Sequence, residues 1–186
     1  MAPIAFRRDQ VINLGLDFLD HAYVQGAPLG SGTGAGGDAP KLLLTEGDQD
    51  PLYLDGMLAD DLAARHWLVK FPRNQGRAAD QDVLRSEYRY YLALDSLGLE
   101  TIVVDELALE EGRQPSLWSP RFDRRPGATS LAQVAVESIY SLTDMLVLGS
   151  YLEHLDAIEV LVRYGGPPAK RPLLQAYSMS TCCEPY

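Results

Sequence analysis

One strand-to-helix step constrains the fold of this chain more than any other feature. His66-Trp67-Leu68-Val69-Lys70-Phe71-Pro72 alternates at period two, with Trp67, Val69 and Phe71 on one face and His66, Leu68 and Lys70 on the other. Soon after it, Asp80 to Leu97 repeats its apolar residues at helical spacing and ends at Gly98, in the position glycine favours just past a helix. Shorter signals surround this pair. Lys41-Leu42-Leu43-Leu44 predicts a short strand, and Leu52-Tyr53-Leu54 another after an acidic turn. The β-branched run Thr101 to Leu109 predicts a strand, with Gln114 to Phe122 as its hairpin partner across Glu110-Glu111-Gly112-Arg113. Val11, Leu14, Leu16, Phe18 and Leu19 predict a helix over residues 10–24, and Ala132 to Tyr164 a helix in two pieces broken near Gly149. No element is predicted from Gly165-Gly166-Pro167-Pro168 onward. The expected class is α+β: a small antiparallel sheet with one helix, followed by further helices. The expected division is 1–25, 26–126 and 127–186.

Composition narrows the function. The 186 residues are 46% hydrophobic and 23% charged, the balance of a globular chain rather than a disordered one. A net charge of −10, spread along the chain, repels a nucleic-acid backbone, so no direct nucleic-acid binding is expected. No run of apolar residues is long enough to span a membrane, and Met1 to Asp9 has no apolar stretch of the secretory kind. The two cysteines, Cys182 and Cys183, are adjacent and read as free thiols rather than a bridge or a metal site, which suits a reducing cytoplasm.

Four groups of residues carry the chemistry. Gly32-Thr33-Gly34-Ala35-Gly36-Gly37 fits G-x-G-x-x-G, but a helix precedes it and a strand follows, the reverse of a dinucleotide fold. A Gly-rich loop feeding a strand instead matches the layout that lays backbone N–H groups over nucleotide phosphates, the alternative being a flexible linker. Lys70 sits mid-strand between Val69 and Phe71, where a buried ammonium needs a counter-charge. Glu87 lies inside the apolar stripe of Val83, Leu84, Tyr90, Tyr91 and Leu94, so it is expected to pair with Lys70 unless it reaches water at the stripe's boundary. Arg121-Phe122-Asp123-Arg124-Arg125 ends the last strand, as a simple basic turn or as the crossing to a second lobe. His21, His66 and His154 lie far apart with no carboxylate at ligand spacing, which disfavours a zinc site or a hydrolase triad.

Thr33 to Lys41, Trp67-Leu68-Val69-Lys70-Phe71-Pro72, Glu87-Tyr88 and Arg121-Phe122-Asp123-Arg124, in this order, resemble the HipA-type toxin serine/threonine kinases over about residues 3 to 164. The resemblance implies a kinase-like nucleotide-facing lobe over 26–126 and a partial helical lobe over 127–186, with ATP and Mg²⁺ as cofactors. It implies that Gly34, Gly36 and Gly37 face the phosphates, that Lys70 contacts them beside Glu87, and that Arg121 and Phe122 lie at a hinge near adenine. The family's autophosphorylated serine falls at Thr33, with Ser31 as a substitute. Two departures stand out. Asp38 and Ala39 replace the Ala and Arg usual in the loop, and the catalytic N-x-x-D-D-H-x-x-N loop does not occur. Asp60-Asp61 precedes Lys70 and cannot stand in for it. The expectation is therefore a cytoplasmic kinase fragment, inactive alone, with a frameshift or early stop behind its polar, Cys-bearing tail. The alternatives are a non-catalytic protein that engages a DNA-binding antitoxin or a full-length kinase partner, and an unstable relic.

Overall fold

The structure, a computed structural model, describes residues 4–24, 39–126, 131–136, 139–145 and 151–165. Strands β1 (Lys41–Gly47), β2 (Leu52–Leu54), β3 (Ala63–Lys70), β4 (Ala108–Glu111) and β5 (Pro115–Pro120) form one antiparallel sheet in the order β2-β1-β3-β5-β4. Strands β6 (Arg124–Pro126) and β7 (Leu131–Gln133) pair separately. The helices are α1 (Arg8–Leu14), α2 (Asp17–Val24), α3 (Ala78–Ser96), α4 (Ile139–Leu142) and α5 (His154–Gly165). This is the α+β class expected from the sequence.

The alternation of β3 decides which side of the sheet each helix covers. Trp67, Val69 and Phe71 are buried together with Leu42 and Leu44 of β1, Leu52 and Leu54 of β2, and Trp118 of β5. Phe6, just before α1, and Val11, Phe18 and Ala22 of α1 and α2 close this core from the N-terminal side. Phe6 also exchanges two backbone hydrogen bonds with Leu52, of 2.7 and 2.8 Å, which pairs the outer edge of β2 at that residue. The Arg8 guanidinium lies 4.4 Å from the Trp118 ring and 5.3 Å from the Trp67 ring, a cation–π contact that ties α1 to the sheet. On the opposite face α3 packs Leu84, Tyr88 and Tyr91 against Leu109 and Leu117. Register places Lys41, Leu43 and Thr45 of β1 on this second face beside Lys70, Leu68 and His66 of β3.

Three expectations are corrected. The helix over 10–24 is two helices, because Gly15 takes φ +55° and its N–H closes α1 on the Val11 carbonyl. The strand expected over Thr101 to Leu109 exists only from Ala108; before it Val104–Glu106 is a 3-10 turn. Ile102 and Val104 bury themselves against the Leu84 cluster without joining a ladder, so an apolar, β-branched run served packing rather than pairing. Around Ala132 to Tyr164, residues 131–133 are strand, and among the described residues helix is found in α4 and α5; Gly149 lies outside the described residues. Among the described residues, no helix is long and apolar enough to cross a membrane.

Candidate functional site

Lys70 ends β3, and α3 begins after a short connection through a 3-10 turn at Asn74–Gly76. Arg73 Nε and Asn74 Nδ2 both donate to Asp80 Oδ1, each at 3.1 Å, and so hold that connection against the first turn of α3. The result sets Glu87, in the third turn of the helix, over the end of β3. Lys70 Nζ donates to Glu87 Oε1, the pairing expected from a carboxylate inside an apolar stripe. The side chains keep 19% and 29% of their exposure, so the pair is sheltered yet reachable. Tyr91, one turn further along α3, donates its hydroxyl to the same oxygen at 3.2 Å. Burial first, then the neighbouring Glu87 charge, pushes the Tyr91 phenol up to about 12.

Lys41 stands directly opposite Lys70 across the β1–β3 ladder. Two ammonium groups in register on one face repel each other. Glu87 supplies the counter-charge at Lys70. In the sequence Lys41 only closes the Gly-rich segment; the strand register is what brings it to Lys70. Of the other residues singled out, Ser31, Thr33, Gly34, Gly36 and Gly37 lie outside the described residues, as do Cys182 and Cys183.

Arg121 and Phe122 follow β5. Phe122 is 58% exposed. The Arg121 side chain, only 7% exposed, is enclosed by carboxylates: Nη1 lies 2.7 Å from Asp55 Oδ1, and Nε donates to Asp123 Oδ1 at 2.8 Å. Arg124 approaches Asp55 and Asp60, each at 3.8 Å. The hydrogen bond from Arg121 holds the Asp123 carboxyl below its ordinary range. Asp55 is not marked by any pattern in the sequence, and Asp60 is considered there only as a stand-in for a catalytic aspartate. The signal available was indirect: two arginines ending a strand need counter-charges, and the acidic corner between β2 and β3 supplies them.

The histidines take unrelated places. The His21 ring packs 6.0 Å from Phe6 and 5.9 Å from Phe18, and the His66 ring faces the Arg121 cluster. Among the described residues, no group of three or more His, Cys, Asp or Glu is placed to hold a metal ion.

The profile of the HipA-like C-terminal domain matches residues 33–183. That span is most of the chain, and the chain belongs to the HipA-like family, whose setting is the toxin–antitoxin system. Comparison with curated proteins and with solved structures finds no match.

Proposed function

We propose that this chain is the nucleotide-facing part of a HipA-like serine/threonine kinase, and that Lys70 receives the phosphates of ATP. One observation carries the reading: the Lys70–Glu87 pair, a strand lysine oriented by a helix glutamate on the face of the sheet that also holds Lys41. Such a pair fixes an ammonium in place and leaves its remaining protons for a phosphate oxygen. The residues present thus fit the phosphates. Mg²⁺ enters the reading through the family resemblance alone; among the described residues no group of three or more His, Cys, Asp or Glu converges to hold it. The 186 residues also contain no N-x-x-D-D-H-x-x-N stretch to supply a general base. Binding of the nucleotide, rather than phosphoryl transfer, is the activity these residues support by themselves.

The test compares ATP with adenosine in thermal melts of the whole chain. ATP should raise the melting temperature more than adenosine does, and Lys70→Ala should remove ATP's advantage. An advantage that survives in a folded Lys70→Ala chain would sink the assignment.

A further inference from the structure

Four residues before Lys70, on the same face of β3, His66 is 8% exposed. Its Nδ1 lies 3.3 Å from Thr45 Oγ1, while Nε2 is buried with no hydrogen-bond partner. Polar groups face the ring from each surrounding element. Thr45 stands on β1 with Tyr53 opposite it on β2, Asp55 follows β2, and Asp60 belongs to the 3-10 turn Asp60–Leu62 that leads into β3. Arg121 comes from the end of β5, Asp123 grips Arg121, and Arg124 opens β6. Arg121 Nη1, Arg124 Nε and Asp55 Oδ1 are likewise buried without an aligned hydrogen bond, so the cluster is held by charge more than by directed bonds. The backbone is fastened at the same place, where the Arg121 N–H donates to the His66 carbonyl at 2.9 Å. A proton added to the ring would set a third cation against two guanidinium groups where little water screens them.

We propose that His66 is a proton-operated latch on the segment Arg121–Arg124: neutral, it lets the two arginines close on Asp55; protonated, it drives that segment off the sheet. The proposal does not depend on nucleotide binding. Burial first, then Arg124 and Arg121, hold the imidazole below its ordinary value of 6.5, against the weaker opposing pulls of Asp55 and Asp60. The closed form therefore takes up the proton less readily than the open form. Closure is firmest above 6.5 and is lost as pH falls below that value toward the pKa of the closed ring. The population of the open form grows about tenfold for each unit by which closure depresses the ring.

Hydrogen exchange at the Arg121 amide, corrected for intrinsic rates and measured without nucleotide, tests this from about pH 7.5 to 5, the span in which an ordinary histidine titrates. Protection should fall with acidification in the native chain, with protection at the centre of β3 retained. In His66→Gln, which carries no titrating ring, it should be independent of pH. Protection that stays constant in the native chain, or that falls equally in His66→Gln, overturns the latch. If His66→Gln does not fold, the ring of His66 is titrated by nuclear magnetic resonance in the native chain. A midpoint at or above 6.5 overturns the proposal, and a depressed midpoint that coincides with the change in Arg121 protection supports it.

Discussion

At the scale of single residues, Glu87 has two duties that separate experimentally. It neutralises Lys70 and accepts the Tyr91 hydroxyl. Glu87→Gln should leave a half-buried ammonium without its counter-charge and cost about 1–3 kcal/mol of stability in denaturant unfolding. The same substitution removes the charge that helps raise Tyr91, so the phenol should titrate below about 12 while burial keeps it above 10. Ultraviolet phenolate absorbance, with Tyr91→Phe as the control that isolates this transition among the ten tyrosines, reads the shift, and a Tyr91 transition unmoved by Glu87→Gln would show that burial alone sets it. Asp123 governs a different pH window. Its folded pKa is depressed by Arg121, so its contribution is present above 3.8 and is lost as pH falls through the lower folded value. Asp123→Asn should flatten that acid limb of the stability curve. The pairing of Lys70 with Glu87 was legible because a carboxylate among Leu84, Tyr90 and Tyr91 breaks a local periodicity. The closure of Asp55 on Arg121 was not, because it joins two loops distant in the chain, neither of which has a period to break.

At the scale of elements, close approach sets the demands. Gly112, in the turn between β4 and β5, lies so near α1 that a Cβ there would stand 2.3 Å from the Ile12 carbonyl oxygen. Gly112→Ala should push α1 from the sheet and cost about 1–3 kcal/mol, the usual penalty of overpacking. Gly15→Ala should cost about 1–2 kcal/mol, because an L-residue there must hold φ +55° between two helices. Thermal unfolding of the two variants measures both. The β3 face pattern and the span of α3 could be read directly, since each has a long, consistent period. The breaks were harder. Gly15 sits in an apolar pattern that continues on either side of it, and nothing local tells a capping glycine from one tolerated in a helix. The run from Thr101 looked like a strand because β-branched residues suit packing against α3 as well as they suit a ladder.

At the scale of the whole molecule, the N-terminal helices and the sheet share one core. Phe6, Val11, Phe18 and Ala22 cover the face formed by Leu44, Trp67, Val69 and Trp118, and Phe6 bridges to the sheet edge at Leu52. We therefore expect a chain lacking residues 1–24 to lose cooperative unfolding, which circular dichroism would register as a broad transition. A sharp transition at an unchanged temperature would show that the sheet holds without them. This sharing was not legible in the sequence, because amphipathic spacing tells that a helix buries a face but not which surface receives it. The other face of the sheet, with Lys41, Lys70 and Glu87, is the one the functional reading depends on. The most direct measurement is a calorimetric titration of the whole chain with ATP, repeated on Lys70→Ala. The account predicts saturable binding that weakens at least about tenfold in the variant, the effect of losing a charge-assisted hydrogen bond to phosphate. No binding by the native chain, or equal binding by a folded variant, would contradict it.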